Sequence, residues 1–259
     1  MTIDSPLISL NKVGKIYENG HVALEDFNLD VRNGETLTLL GPSGCGKSTA
    51  LRLISGLASP TSGSIVWSDP ERRKNLGVVF QEPTLMPWAS VFDNVYLPLR
   101  LAGESREQAQ TQVRRALSRV GLSDFDSALP RELSGGMKMR CAIARTLVTV
   151  PGVILMDEPF AALDEVTRFR LNDELLGLQR ELRATIVFVT HSVFESAYLS
   201  TRIVVMSRRR GAIIDDIAVG ADLQRNPEFR HTQAFADICR RASLALKDAT
   251  GDQNENFEI

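Results

Sequence analysis

The sequence predicts an α/β fold with a mainly parallel central sheet, an antiparallel β subdomain at the N-terminus and an inserted α-helical subdomain. Two segments, PGVILMDEP and ATIVFVTH, each contain a continuous apolar run, which is typical of strands buried on both faces of a parallel sheet. The N-terminal third instead has short β patterns separated by turn signals. Elsewhere apolar residues recur at helical spacing, so strands and helices alternate along the chain.

The first part of the chain is predicted to be rich in strands. Short apolar or alternating runs lie at Ile8–Leu10, Phe27–Val31 and Thr36–Leu40. The turn signals Asn19–Gly20 and Arg32–Gly34 separate them. After the third run the spacing of apolar residues becomes helical, so a strand, a glycine-rich loop and a helix are expected in succession.

Helix signals dominate the second part. The most regular pattern begins at Ser105, where Gln108 completes capping-box spacing and Gly121 occupies the position of a C-terminal glycine. Asp164 is placed to cap a helix that runs to about Leu182. Weaker signals predict a short helix capped by Ser192 and Glu195, a strand over Arg202–Met206 and a frayed tail over 247–259.

Composition limits the function classes. The chain has 259 residues, a formal net charge of -2 and a pI of about 6.0, so no global basic field attracts nucleic acid. Its three cysteines are odd in number and far apart, which favours a reducing compartment over a disulfide framework. The sequence has neither signal-peptide character nor an apolar run of the ~20 residues that span a membrane. Any membrane role is therefore expected to go through a partner.

A phosphate-binding loop is predicted after the third strand. The segment GPSGCGKS matches G-x-x-x-x-G-K-[ST] and lies between a predicted strand and a predicted helix, which is the context that this pattern requires. Its glycines let backbone N–H groups converge on phosphate oxygens at a helix N-terminus. Lys47 would reach the β- and γ-phosphates and Ser48 would bind Mg²⁺. The predicted nucleotide contacts are Gly41, Pro42, Ser43, Gly44, Cys45, Gly46, Lys47, Ser48 and Thr49.

A pair of acids follows the first buried apolar run. Asp157 and Glu158 end the segment VILMDE, so they are expected at the carboxyl edge of the sheet, where α/β proteins bind ligands. Asp157 would hold Mg²⁺, and Glu158, one residue further and on the opposite face, could polarise the attacking water. Together with the phosphate loop, this pair predicts a P-loop NTPase with a RecA-like core.

The segment ELSGGMKMRCAIAR decides among P-loop classes. Ser134-Gly135-Gly136 precedes a helix and resembles the signature motif of ABC-transporter ATPase subunits. The rest of that family's pattern follows in order over roughly residues 7–220. Its members here are Tyr17 as the adenine-stacking aromatic, Gln81 as the switch glutamine, the loop Ala161–Asp164, and His191 as the switch histidine.

This resemblance implies a homodimer. Ser134, Gly135 and Gly136 would form a second anion cradle, and in the family each cradle closes on the γ-phosphate held by the partner's loop. Two MgATP would therefore lie at a head-to-tail interface, with Asp164 also contacting nucleotide. Glu158, His191, Lys47 and Gln81 would be catalytic, and Ser48, Gln81 and Asp157 would bind Mg²⁺.

The resemblance also implies an importer. The phrase FQEPTLMPW, with LSGGM and DEPF, is similar to ATPases of nitrate, sulfonate and taurine importers. Met86, Pro87 and Trp88 would form a groove for a cytoplasmic helix of the membrane permease, although ordinary core is an alternative. The chain would then be peripheral to the cytoplasmic face of the inner membrane and act indirectly with an extracytoplasmic solute-binding protein. The predicted segments are a nucleotide-binding core (1–90 and 151–220), an inserted helical subdomain (91–150) and a C-terminal extension (221–259).

Alternatives remain open at this point. A soluble ABC ATPase of regulation or repair would keep the same motifs, and a GTPase or kinase would need a guanine-reading or acceptor site. Tyr17 could be an edge-strand aromatic, Gln81 a solvent-facing polar residue and Cys45 a redox switch instead of a small filler. Met137 and Met139 replace glutamines that are common in the family, and Ala161 replaces Gly or Ser.

Overall fold

The computed structural model describes residues 5–161, 163–220, 223 and 225–250. Two compact units make up the chain. The first consists of Met1–Arg73 together with Thr185–Ile259, and the second is Lys74–Ala184. The predicted α/β class with parallel strands is confirmed. The predicted four-segment boundaries divide the chain differently and stay a prediction.

An antiparallel sheet occupies the N-terminal part of the first unit. It contains β1 (Ile8–Ile16), β2 (Val22–Val31) and β4 (Ser62–Trp67) in the order β2-β1-β4. Leu10 pairs with Leu29 on one side and Ile65 on the other. From Phe27 to Val31 buried residues alternate with exposed ones along β2, as expected for a sheet with one covered face.

Parallel strands form the core of the first unit. The strands β3 (Thr36–Leu40), β7 (Thr185–Thr190) and β8 (Arg202–Met206) run parallel, and β9 (Ile213–Ala218) pairs antiparallel with β8. Every residue of β3, β7 and β8 is buried, because neighbours cover both faces. The order of these strands is β7-β3-β8-β9.

Helices also belong to the described part of this unit. They are α1 (Lys47–Ser55), α7 (Val193–Leu199) and α8 (Gln233–Thr250). One face of α8 carries Ala242, Ala245 and Ala249, whose small side chains pack closely on Ile203, Val205 and Ile217 of β8 and β9. This helix extends four residues into the predicted frayed tail, from Lys247 to Thr250. The rest of that tail, 251–259, lies outside the described residues.

The second unit combines two strands with four long helices. The strands β5 (Leu76–Val79) and β6 (Val153–Asp157) are parallel. The helix α3 (Val91–Leu101) packs against α4 (Arg106–Arg119) and α5 (Gly135–Leu147). The short helix α2 (Pro70–Lys74) reaches the start of this unit. The fourth long helix is α6 (Glu165–Leu182).

Local capping signals set several helix ends in this unit. Ser105 accepts the N–H of Gln108, and the Gln108 side chain accepts the N–H of Ser105, so the predicted capping box of α4 is formed. Asp164 caps α6 as predicted. In the first unit, Ser192 caps α7, but the Glu195 carboxylate accepts from Thr190 instead of completing a capping box. No helix in the described ranges is long and apolar enough to cross a membrane.

Candidate functional site

The glycines of the phosphate loop are required by close contacts and by backbone conformation. A Cβ at Gly41 would lie 2.5 Å from the carbonyl oxygen of Met206. Gly46, immediately before α1, has φ 103°, and a Cβ there would lie 2.8 Å from the carbonyl oxygen of Ala23. Gly44 also has positive φ, at 79°. The sequence therefore turns sharply from β3 into α1 through positions that only glycine fits well.

Lys47 is folded back onto the loop that precedes it. Its side chain is buried, and Nζ donates to the carbonyl oxygens of Gly41 at 2.7 Å and Pro42 at 3.0 Å. The ammonium group thus lies against the loop at the N-terminus of α1. Its charge and the positive end of the helix dipole both favour an anion there. Ser43 is exposed, whereas Ser48 and Thr49 are half-buried. This arrangement fits a nucleotide phosphate chain.

Cys45 fills space inside the loop. Its side chain is 1% exposed, and its Sγ would lie 2.8 Å from a Cβ at Gly41. Burial raises the pKa of the Cys45 thiol, and the charge of Lys47 opposes this only in part. Because the thiolate is the reactive form, a raised pKa favours the role of small filler over that of redox switch.

Tyr17 lies close to the phosphate-loop helix. It follows β1, and its hydroxyl is 3.2 Å from Oγ1 of Thr49 in α1. The ring is half-buried, stacks on His21 at 6.4 Å between centroids and carries Nζ of Lys15 5.4 Å from its centre. An aromatic face beside the phosphate loop is a suitable platform for a purine base.

His191 lies at the same sheet edge as the phosphate loop. The strands β7 and β3 are parallel neighbours, and Thr190 pairs in register with Leu40. His191 and Gly41 therefore follow adjacent strand ends. Thr190 Oγ1 fixes the turn, because it accepts the N–H of Ser192 at 3.0 Å and donates to the Glu195 carboxylate at 2.5 Å. His191 itself is exposed.

In the second unit, Gln81 and the acid pair follow neighbouring strands. β5 and β6 are parallel with Val79 opposite Met156, so Gln81 and Asp157 lie at the same edge of this strand pair. Asp157 ends β6 and is buried, while Glu158 is half-buried. Glu158 has φ 45°, which is rare for a residue with a side chain and is often found at functional sites. Strand alternation therefore does not set the direction of its side chain.

The signature segment forms an open helix N-terminus in the second unit. Ser134 caps α5 by accepting the N–H of Met137 at 3.3 Å, and Ser134 and Gly135 are exposed. A Cβ at Gly136 would lie 2.8 Å from Cγ2 of Thr167 in α6, so this glycine permits close helix packing. A Cβ at Gly135 would have no neighbour nearer than 4.0 Å among the residues that the structure describes.

The loop before α6 adjoins this cradle. The side chain of Leu163 lies 4.0 Å from the Cβ positions of both Gly135 and Gly136. Asp164 accepts the N–H of Thr167 at 2.9 Å, and this backbone hydrogen bond lowers the pKa of the Asp164 carboxyl. The second unit thus brings the predicted nucleotide contacts of the cradle and of Asp164 to neighbouring helix ends. Ala162, within the predicted loop Ala161–Asp164, lies outside the described residues.

The two departures from the usual glutamines differ in environment. Met139 is 3% exposed and packs in the core of the second unit, where an amide would need buried partners. Met137 is half-buried and donates its N–H to the capping Ser134. Substitution at Met139 is therefore a matter of packing, while Met137 lies at the cradle itself.

Comparison with known proteins identifies the family. The model of the family described as ABC transporter matches residues 24–161, more than half of the chain. This chain belongs to the ABC transporter family. It is an ABC-type ATPase, and its cofactors are ATP and Mg²⁺.

Two relatives and a solved structure support this family assignment. The chain is 45% identical to an ATP-binding protein of Brucella abortus, covering 93% of this chain and 94% of the relative. It is 44% identical to an aliphatic sulfonates import ATP-binding protein of Pseudomonas syringae pv. tomato, covering 89% and 94%. The dimeric structure of a post-hydrolysis state of an ATP-binding cassette bound to ADP and Pi has a TM-score of 0.73, at 31% identity and coverage of 83% and 99%.

Two residues of this ABC ATPase were not singled out from the sequence. Arg145 in α5 and Asn94 in α3 hold the segment that follows Gln81, through hydrogen bonds to its backbone. The only sequence signal for either is a polar side chain on an otherwise apolar helix face. Their partners are defined by tertiary structure alone.

Proposed function

We propose that the chain is the ATP-hydrolysing subunit of an importer and works as a head-to-tail homodimer with two MgATP at its interface. The energy of nucleotide binding and hydrolysis would drive uptake of a small solute such as a sulfonate, nitrate or taurine through a membrane permease. The relative that imports aliphatic sulfonates supports the importer role. The dimeric cassette with ADP and Pi supports the dimer.

The open cradle at Ser134–Gly136 is the observation that carries this proposal. A capped helix end with an exposed hydroxyl and an exposed glycine offers N–H groups and positive charge to an anion. Among the described residues, neither a close contact nor a positive φ requires glycine at Gly135. The absence of a Cβ there is explained if a phosphate borne by a second copy approaches the backbone.

The proposed catalytic roles follow the chemistry of each group. MgATP supplies the transferred phosphoryl group and the charge that must be stabilised. Lys47 stabilises phosphate charge, Glu158 orients and polarises the attacking water, and His191 senses the charge that develops on the departing phosphate. Gln81 contacts the water or the metal. Ser48, Gln81 and Asp157 present oxygen atoms, which Mg²⁺ prefers, and their ligand roles stay proposals.

A groove in the second unit is the proposed permease contact. Its volume is about 410 Å³, and Trp88 at its margin is 78% exposed. Large exposed aromatic residues are typical of protein interfaces. The remaining lining residues are Met86, Ala89, Asp93, Tyr96, Leu97, Arg100 and Arg106. We place the chain at the cytoplasmic face of the inner membrane through this partner, with a solute-binding protein acting indirectly.

The role of Glu158 provides the test. Glu158→Gln removes the base that activates water but keeps the shape of the side chain. We expect turnover to fall by at least about a hundredfold, in the range typical for loss of general-base catalysis, while ATP binding is retained. With MgATP the variant should be a stable dimer by size-exclusion chromatography with light scattering.

Glu165→Gln is the matched control, because Glu165 is an exposed acid in the first turn of α6. This variant should hydrolyse ATP at the wild-type rate and show no trapped dimer. Wild-type turnover in Glu158→Gln, or a trapped species that stays monomeric, would refute the proposal.

A further inference from the structure

Arg145 of α5 holds the segment between β5 and α3 in place. We call α5 the signature helix, because it begins at the signature residues Ser134–Gly136. Nη1 of Arg145 donates to the carbonyl oxygen of Thr84 at 2.9 Å. Nη2 donates to the carbonyl oxygen of Pro83 at 2.9 Å and to Oγ1 of Thr84 at 3.1 Å. Every hydrogen bond of this guanidinium in the described part of the chain goes to two consecutive residues shortly after Gln81. Their geometry uses the planar fork that lysine lacks.

A buried asparagine holds the other half of the same segment. Asn94 is 0% exposed, and its Oδ1 accepts the N–H of Met86 at 2.7 Å. Its Nδ2 donates to the carbonyl oxygens of Met86, Ala89 and Ser90 at 3.0–3.2 Å. Trp88 lies between these anchor points with its side chain exposed. We call residues 83–89 the shoulder segment.

The backbone of the shoulder segment is strained where Arg145 grips it. Thr84 has φ 46°, in the left-handed region that a β-branched residue rarely adopts. Such a conformation persists only where surrounding contacts fix it, and strained residues cluster at switch regions. The carbonyl and hydroxyl oxygens of Thr84 are two of the three atoms that Arg145 binds.

Arg145 makes these bonds without a carboxylate partner. Burial lowers the pKa of the Arg145 guanidinium, and no acid pairs with it among the described residues. A half-buried cation without a counter-ion depends on its hydrogen bonds, so moving the shoulder segment away would leave it unsatisfied. Arg145 therefore couples the position of α5 to that of the shoulder segment more strongly than apolar packing would.

The same helix begins at the proposed cradle. α5 starts at Gly135, and Arg145 lies ten residues later, which is about 15 Å along a straight helix. A continuous helix transmits rigid displacement over such a distance. The cradle, α5, Arg145 and the shoulder segment thus form one connected series within the second unit.

We propose that Arg145 is a positioning residue that makes the shoulder segment follow the signature helix when the cradle closes on phosphate. The inference rests on the proposed function, because it assumes that Ser134–Gly136 receives the γ-phosphate of a second copy. Its consequence is that nucleotide-driven dimerisation reorients the surface around Trp88, on which the permease would dock.

Hydrogen exchange on the full chain tests this coupling. Mass spectrometry would follow amides of 135–138 and of the shoulder segment with and without Mg²⁺ and AMP-PNP, a non-hydrolysable ATP analogue. In the wild type we expect the analogue to slow exchange at 135–138 and to change exchange in the shoulder segment. In Arg145→Lys the first effect should remain, and the second should shrink about tenfold, as expected for losing a hydrogen bond from a charged donor.

Arg140→Lys is the matched control. Arg140 is also a partly buried arginine of α5, but its Nη1 donates to the carbonyl oxygen of Val120, outside the shoulder segment. This variant should keep both nucleotide effects. If the role of Arg145 were purely structural, Arg145→Lys would raise exchange of the shoulder segment equally with and without the analogue. The effect of the analogue would then stay intact, and that result would overturn the inference.

The wild type gives a second measurement that does not depend on a variant folding. Protection at 135–138 and the change in the shoulder segment should have the same midpoint in a titration with AMP-PNP, and different midpoints would also overturn the inference. If the analogue produces neither a dimer nor protection at 135–138, the proposed function itself fails. The two failures are therefore distinguishable.

Discussion

The phosphate loop of the first unit and the signature cradle of the second unit both place glycines before a helix, but for different reasons. In the loop, Gly41 and Gly46 are dictated by close approach to the backbone of Met206 and Ala23. In the cradle, Gly136 accommodates Thr167 of α6, and Gly135 has no comparable neighbour in the described part of the chain. One set of glycines is explained largely within its own unit, whereas the other is explained only in part.

This difference bears on how each helix end binds an anion. The loop has its own buried lysine, and both its shape and its charge come from one segment of chain. The cradle is capped by Ser134 and exposed. Among the described residues of the second unit, nothing places a steric or conformational demand for glycine on Gly135, which favours a role toward a group that approaches from outside. That reasoning supports the proposal that the cradle completes a site on a second copy.

The largest effect is expected for a substitution in the phosphate loop. Gly46→Ala combines positive φ with a Cβ 2.8 Å from a carbonyl oxygen, so the loop must distort. Forcing a side chain into the left-handed region costs about 1–2 kcal/mol before the clash is counted. We expect ATP affinity, measured by calorimetry, to fall by more than about a hundredfold, since each 1.4 kcal/mol is tenfold.

Gly44→Ala separates the two causes in that prediction. Gly44 has φ 79°, but a Cβ there would meet no described residue within 4 Å. It should therefore show only the conformational part, roughly a tenfold loss of affinity. Equal losses in the two variants would mean that close approach does not explain Gly46.

The next largest effect is expected for a substitution in the cradle. Ser134→Arg places a long side chain where phosphate is proposed to bind and removes the cap of α5. We expect ATP-driven dimerisation and hydrolysis to be lost, while the nucleotide affinity of the monomer stays within about twofold. Loss of the cap alone should lower stability by ~1 kcal/mol. Light scattering, turnover and calorimetry measure the three quantities.

Ser105→Arg is the matched control for the lost cap. Ser105 caps α4 through the N–H of Gln108, and it is exposed like Ser134. This variant should lose similar stability but retain dimerisation and hydrolysis. A parallel loss of monomer affinity in Ser134→Arg would mean that the cradle belongs to the chain's own nucleotide site.

The sequence predicts the elements whose signals are local. β3 and β8 begin and end at the predicted residues, and α6 follows its predicted cap at Asp164. α3 has no counterpart among the helices delimited from the sequence, because Pro98 lies inside it and interrupts the helical signal. β9 also has no counterpart among the predicted elements, because the exposed residues of an edge strand give a weak pattern. α8 was not predicted either, although its buried residues recur at helical spacing.

The site shows the same division. The motifs for phosphate, metal and signature residues are short segments in which spacing implies the geometry, and the family they indicate is confirmed. The roles of individual residues stay predictions. Arg145 joins α5 to Thr84 across a separation of 61 residues, and the positive φ of Thr84 has no glycine to mark it. A contact of this kind depends on packing between helix and loop, which no periodicity encodes.

The smallest effect is expected in the pH dependence of stability at Asp164, which caps α6 beside the cradle. The Asp164 carboxylate accepts the N–H of Thr167, which lowers its pKa in the folded state. A lowered pKa means that the folded state prefers the ionised form of Asp164. The stabilising contribution of this carboxylate is therefore full above the unfolded pKa of ~3.9 and is lost as pH falls through the folded value.

Asp164→Asn keeps an oxygen that can cap α6 but has no charge to titrate. The excess thermal stability of the wild type over this variant should be small at pH 7 and should shrink as the pH falls below about 4. A difference that does not change with pH would show that the capping charge contributes nothing at this helix end beside the cradle.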